Sequence, residues 1–303
     1  MKPTEMKSAA MREFVSRKTA GLFRKLSPQL KSDHALAHYA RAKITPIPPT
    51  QPDTVRNMPL TVLGSRGIDL HLEEQLARVA SWRSEENQKL FEEIRQDPAL
   101  RINVSGFYST PDAEIYAMMI LDRKPRRLIE VGSGYSTLLA RKVIQYGGSP
   151  TELIAIDPWP RTDVQAAVDR LYQMPVEQSH LIDFDWSPED LLFIDSSHLC
   201  RTRGDLPYLY CQLLPSLPAG VLVHVHDIYL PYDYPNLYDK WCYNELYLLA
   251  CLLAHSPRYH TVLATHWLSR EHRQVMLDTF GPMVSKDGDL NYNGCSFWFE
   301  IRA

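Results

Sequence analysis

The amino-acid sequence predicts an α/β fold built on a doubly wound, mostly parallel sheet, and three observations carry that expectation. From Ala113 onward, short apolar runs alternate with longer stretches of helical periodicity. The runs are the length of single strands and rich in Ile, Leu, Val and Phe, as strands covered on both faces require. The last two runs have no long helical pattern between them, which predicts an antiparallel strand at the edge of the sheet.

The elements follow in order. Residues 1–31 carry eight Lys/Arg against two Glu, and Met11, Phe14, Val15, Leu22, Phe23 and Leu26 recur at helical spacing. This basic segment predicts a helix that packs on the body or on a partner subunit, with an acidic partner or membrane surface as the other use. Ile44–Pro59 contains five prolines and reads as an extended connector. Ile68–Arg95 predicts one or two helices. The domain boundaries expected are a helical and Pro-rich extension over 1–60, a helical lead-in over 61–104, and an α/β domain over 105–303. Within that domain Ala113–Asp122 predicts helix, "RLIEVG" strand and "STLLARKVIQYG" helix. "ELIAID" predicts strand, Asp163–Met174 helix, and "DLLFID" strand. "RGDLPYLYCQLLPSL" predicts helix with an early proline, Gly220–Asp227 strand, and Tyr238–Ala254 helix. "YHTVLAT" and "GCSFWFEI" close the chain as strands.

Composition narrows the function classes. The 303 residues carry a net charge of -3, so no overall basic character points to nucleic acid. Five scattered cysteines without a C-x-x-C spacing indicate reduced thiols and predict a cytoplasmic protein. No apolar run approaches the ~18 residues of a membrane span. A homo-oligomer would form through the basic N-terminal extension.

The chemistry gathers at predicted strand ends, where open parallel sheets bind ligands. Gly132-x-Gly134 follows "RLIEV" directly and opens a helix, the arrangement that lets backbone approach a ligand closely. A dinucleotide fingerprint wants a third glycine, and Thr137 stands there instead. Glu130 repels a pyrophosphate but suits an ammonium. Asp157 ends the next strand, 23 residues past Gly134, the offset of a carboxylate that grips ribose hydroxyls. A ribose, an ammonium and no pyrophosphate describe S-adenosylmethionine. An ordinary strand–helix turn is the plainer reading of the two glycines alone.

At the next strand ends, Asp195 stands three residues before His198, and His226 stands beside Asp227. Two carboxylates and an imidazole on one rim suit a divalent cation, which leaves His198 as a proton acceptor. The plainer reading is that the histidines hydrogen-bond the loops. His224 is expected to be a packed histidine. The aromatic-rich Tyr229–Glu245 stretch suits a pocket for a flat or sugar-like substrate or, equally, the packing of a long loop.

"IEVGSGYST" with "AIDP" resembles the class I S-adenosylmethionine-dependent methyltransferases, and "FIDSSH" with "GVLVHVHDIYLPYDYP" resembles their metal-dependent sugar- and catechol-type O-methyltransferase branch. The resemblance runs from about Ser105 to Ile301 and implies a Rossmann-like, seven-stranded sheet. It implies cofactor contacts from Glu130, Gly132, Ser133, Gly134, Tyr135 and Ser136, ribose binding by Asp157, and Asp195 at the border of that site. It further implies a cation (Mg2+, Mn2+ or Fe2+) on Asp195, His226 and Asp227, with His198 as the base. The adenine contacts would fall in Val176–Trp186, which is too irregular to assign. The activity expected is methyl transfer to an oxygen of a small molecule, with nitrogen as the alternative acceptor. The rivals are the same fold running a non-methylating reaction, and a cofactor-binding scaffold.

Overall fold

The computed structural model describes residues 67–102, 108–235, 238, 241–281 and 294–303. The basic segment and the proline-rich connector, and with them the 1–60 extension, lie outside the described residues. Thr61–Asp233 and Asn244–Ala303 form the compact unit that carries the sheet, and Tyr234–Tyr243 belong to a separate unit.

The lead-in forms two helices, α1 (Leu72–Ser81) and α2 (Glu85–Gln96). Ser84 starts α2 by accepting the Asn87 N–H on its hydroxyl, a normal N-cap. The strand–helix alternation then begins with α3 (Asp112–Arg123), β1 (Arg127–Val131), α4 (Tyr135–Gly147) and β2 (Glu152–Ile156). It continues through β3 (Arg170–Tyr172), β4 (Leu191–Ile194), α5 (Asp205–Tyr208), a π turn at Leu209–Leu213, and α6 (Leu214–Ser216). Pro215 has no N–H for a carbonyl one turn back, and the helical run loosens just before it. β5 (Leu222–Val225), α7 (Glu245–His255), β6 (Tyr259–Ala264), α8 (Thr265–Glu271), α9 (Arg273–Phe280) and β7 (Phe297–Ile301) complete the order.

Seven strands form one Rossmann-like sheet in the order β3-β2-β1-β4-β5-β7-β6. β1 to β5 pair in parallel, and the reversal falls at the last edge, where β7 runs antiparallel to both β5 and β6. Two short helices, α8 and α9, occupy the β6–β7 connection. Every residue of β1, β4 and β5 is buried, as for parallel strands covered on both faces. Ile115, Met119, Leu139 and Val143 of α3 and α4 pack with Leu128, Leu191, Phe193 and Trp298 of the sheet. The strand order reverses at β1, between β2 and β4, so the carboxyl ends of β1, β2 and β4 border the switch point.

Two expectations need correction. Asp163–Met174 is not a helix. Its helical pattern survives as a single turn, with Ala167 and Val168 N–H donating to the Val164 carbonyl, and the chain then straightens into β3. The edge of β2 decides this: Asp169 donates its N–H to the Leu153 carbonyl and accepts the Leu153 N–H on Oδ2, which aligns Arg170–Tyr172 against Ile154–Ile156. A sheet edge with open hydrogen-bonding groups outcompetes a short amphipathic pattern. Likewise the Tyr238–Ala254 helix begins only at Glu245. Asn244 donates its N–H to the His198 carbonyl and accepts the Cys200 N–H on its side chain, which holds it in non-helical backbone, φ -146° and ψ 9°, outside the helix. Val176–Trp186, as expected, is irregular, with 3-10 turns at Val176–Gln178 and Leu181–Asp183.

Candidate active site

The turn after β1 is built by residues close in sequence. Gly132 has φ +90°, and a Cβ there would lie 2.0 Å from the Asp195 carbonyl oxygen. Only glycine lets the β1 and β4 ends approach this closely. Gly134 differs: a Cβ on it would meet no atom within 4 Å. Its open side leaves room against the backbone for a ligand. Thr137, in place of a third glycine, accepts the Gly134 N–H at 3.0 Å and donates to Glu130. The Tyr116 hydroxyl donates to the other Glu130 oxygen at 2.7 Å. Glu130 is 0% exposed. Burial pushes its pKa from the usual 4.5 up to about 7, against the pull of those two hydrogen bonds.

Asp157 ends β2 and faces the same turn. Its Oδ2 accepts the Ser133 N–H at 2.8 Å and the Ser133 hydroxyl at 3.0 Å, and its Oδ1 accepts the Trp159 N–H at 2.8 Å. A carboxylate has about four acceptor positions, so one on Oδ1 is left for a ligand hydroxyl. Tyr135 and Ser136 open α4, where the first N–H groups have no partner within the helix.

The ends of β4 and β5 make the second group. His198 is held in left-handed backbone, φ 58°, and so is Asp227, φ 57°. His198 Nδ1 lies 2.7 Å from Glu245 Oε2, and its Nε2 lies 3.1 Å from Asp195 Oδ1 and 3.6 Å from Asp227 Oδ2. Glu245 also accepts from the Tyr210 hydroxyl at 2.9 Å. Burial favours the neutral imidazole, but the hydrogen bonds to Asp195 and Glu245 and the surrounding carboxylates carry the His198 pKa well above its ordinary value. Burial likewise opposes the Asp195 charge, and the His198 bond with the nearby His226 overcomes it, so Asp195 titrates below the usual carboxylate range.

Two of the expected cation ligands, Asp195 and Asp227, gather here with His198, the expected base, rather than with His226. One donor atom each from Asp195, His198 and Asp227 lies within 4.8 Å of the others, a size that fits a single ion. His226 Nδ1 lies 3.8 Å from oxygens of both Asp195 and Asp227. Its Nε2 turns the other way, 3.6 Å from Asp112 Oδ2 and 3.5 Å from Cys295 Sγ. Glu245 behind His198 is the carboxylate that commonly orients a ligating or proton-accepting imidazole.

His224, two residues before His226 on the same strand face, is packed as expected. Its ring stacks on Trp298 at 3.9 Å and lies 4.4 Å from the Phe193 ring, and neither nitrogen has a hydrogen-bond partner. Burial drops its pKa well below normal. In the aromatic-rich segment, Tyr229 and Tyr232 pack edge-on to His266, while Tyr234, Tyr238 and Tyr243 cluster with one another at 5.3–6.0 Å. Sequence reasoning missed Asp112, Tyr116, Glu245 and Cys295. Only Glu245 left a signal, as the one acid at the head of the apolar run "ELYLLACLLA".

Residues 129–228, from β1 to just past β5, match a family described as a methyltransferase domain. An uncharacterized protein of Archaeoglobus fulgidus is 26% identical over 149 residues, which span 45% of this chain and 67% of that protein. Among solved structures, the SAH-bound methyltransferase PaMTH1 of Podospora anserina aligns at 16% identity with a TM-score of 0.41, covering 76% of this chain and 97% of its own. The O-methyltransferase TomG of Streptomyces achromogenes, in complex with SAM, aligns at 16% identity and a TM-score of 0.39, covering 73% and 92%. Over that segment the chain resembles a methyltransferase domain, and the matched segment carries both the glycine turn and the Asp195–Asp227 rim. Among the described residues, no helix is long and apolar enough to cross a membrane.

Proposed function

We propose that this protein transfers a methyl group from S-adenosylmethionine to an oxygen of a small molecule. The observation that carries the reading is the Gly132–Gly134 turn, open at Gly134 and flanked by Glu130 and Asp157 at adjacent strand ends. Bound S-adenosylmethionine supplies a methyl group on a positively charged sulfur. Gly134, Tyr135 and Ser136 offer backbone at the head of α4, and the remaining Asp157 acceptor position takes a ribose hydroxyl. Glu130 is buried behind Thr137, so it acts on a cationic ligand through its charge and by holding the turn, rather than by contact.

His198 is the proposed proton acceptor. Glu245 fixes the hydrogen on Nδ1, and a proton arriving at Nε2 is stabilised by Asp195 and Asp227. Turnover therefore rises with pH as Nε2 loses its resting proton. A second reading adds a divalent cation, and the compact Asp195–His198–Asp227 donor set favours it. The cation would lower the pKa of an acceptor hydroxyl; Asp195, His198 and Asp227 would hold it, and on this second reading His198 would be a ligand in place of the base.

Calorimetry with S-adenosylhomocysteine tests the cofactor assignment. The folded Gly134→Val variant should lose binding, since its side chain would fill the open cradle. Unchanged affinity would remove the cofactor from this turn, and tight NAD binding in its place would move the protein to another class. Methylation of hydroxylated small molecules, assayed before and after exhaustive chelation, decides the cation.

A further inference from the structure

We infer that Asp112, His226 and Cys295 form a buried binding site for a sulfur-seeking divalent transition metal of the zinc type. The inference goes beyond the methyl-transfer reading and does not rest on it. Three remote segments deliver the donors: the first turn of α3, the end of β5, and the residues just before β7. Among the described residues this is the donor cluster whose three members are all buried.

The spacing is the argument. Cys295 Sγ lies 3.5 Å from His226 Nε2 and 3.6 Å from Asp112 Oδ2, and His226 Nε2 lies 3.6 Å from Asp112 Oδ2. A tetrahedral zinc ion with ordinary bond lengths separates a sulfur from a nitrogen or oxygen ligand by about 3.5–3.6 Å, and a nitrogen from an oxygen by about 3.4 Å. The three atoms thus outline one face of such a tetrahedron. Asp227 Oδ1 lies 3.4 Å from the same sulfur.

The supporting shell is already in place. Asp112 accepts the Cys295 N–H at 2.9 Å and the Ser296 N–H at 3.0 Å, which locks its carboxylate. The far nitrogen of His226 faces Asp195 and Asp227, and the Tyr108 ring covers the imidazole at 5.1 Å. Gly294 lets the segment come this close: a Cβ there would lie 2.2 Å from Thr265 and 3.3 Å from Asp112 Oδ1. Charge also balances. A thiolate, a carboxylate and a neutral imidazole around a divalent ion sum to zero, which a buried site tolerates. The thiolate excludes magnesium and calcium by softness. Binding replaces the Cys295 thiol proton, which is released to solvent.

Cobalt(II), added to the reduced full-length protein, is the probe. One equivalent should bind and give a thiolate-to-cobalt charge-transfer band. The band should vanish in Cys295→Ala, persist in Asp195→Asn, and disappear on zinc addition while excess magnesium leaves it unchanged. Absence of the band in the wild type overturns the inference. So does its persistence in Cys295→Ala, which would assign the sulfur to Cys200, Cys211, Cys242 or Cys251. If Cys295→Ala does not fold, X-ray absorption of the zinc-loaded wild type decides. One sulfur neighbour at about 2.3 Å supports the site, and a shell of nitrogen and oxygen alone overturns it.

Discussion

The glycine turn and the histidine rim stand at neighbouring strand ends of one sheet, yet they are made in opposite ways. The turn is local: Glu130, Gly132, Gly134 and Thr137 span eight residues and bond mainly to one another. Asp157, Tyr116 and the Ile156 carbonyl, which accepts the Gly132 N–H, are partners from outside that span. The rim draws His198, Asp195 and Asp227 from two strand ends and Glu245 from the head of α7, while His226 reaches back to Asp112 and Cys295. The turn carries one buried carboxyl with a raised pKa. The rim gathers carboxylates around two imidazoles. A backbone cradle can be specified by a short motif, whereas a charge cluster needs groups that only the assembled sheet brings together.

Substitutions at each region should separate the two kinds of construction. The largest effect is expected at the rim. His198→Ala should slow turnover by ~10²–10⁴-fold, the usual loss for a missing general base, while S-adenosylhomocysteine affinity stays within a factor of two or so. Rate and affinity falling together would mean that the rim and the turn are one construction.

Next comes Gly132→Ala. A side chain at φ +90° pressed on the Asp195 carbonyl should cost about 2–5 kcal/mol of stability, read from denaturant unfolding. A folded Gly134→Val variant beside it would show that two glycines in one motif serve different ends, one the fold and the other the ligand.

Glu130 gives a smaller, pH-dependent signature. Its folded pKa of about 7 lies above the usual 4.5, so the native state holds more protons across that window than the unfolded chain. The contribution of Glu130 to stability should be fully present below about pH 4.5 and fall as pH rises toward 7. Glu130→Gln should flatten that part of the stability–pH curve. A cation bound near the turn favours the ionised form, so affinity for S-adenosylmethionine should rise over the same range. Calorimetry in buffers of different ionisation enthalpy should detect the released proton. Equal slopes for Glu130→Gln and wild type would assign the titration to another group.

The smallest change is expected at His224, where two nitrogens are buried without partners beside Trp298 and Phe193. His224→Phe should leave stability unchanged or raise it by about 1 kcal/mol, with no effect on turnover. Thermal unfolding that instead drops steeply would show that an imidazole hydrogen bond holds that layer.

The sequence alone determined the strand–helix alternation from Ala113, the reversal at the last sheet edge, and the turn at Gly132–Gly134. These depend on local periodicity and on residues within one turn of each other, so a linear reading reaches them. It also determined that Asp195, His198, His226 and Asp227 share a rim, because parallel strands end on one side. Tertiary structure decided the rest. Asp163–Met174 reads as a helix until the edge of β2 presents open hydrogen-bonding groups, and then one turn and a strand satisfy more of the backbone. Asn244 belongs to a helical pattern until the His198–Cys200 loop claims its N–H and side chain. The sequence separates a packed His224 from a His226 at the rim, but nothing in "LVHVHD" shows that His226 is held between Asp112, Cys295 and two further carboxylates. Much of their surroundings comes from α3, from the end of β4 and from the chain in and just before β7, all remote in sequence. A titratable group takes its charge from its neighbours in space, and only folding supplies those.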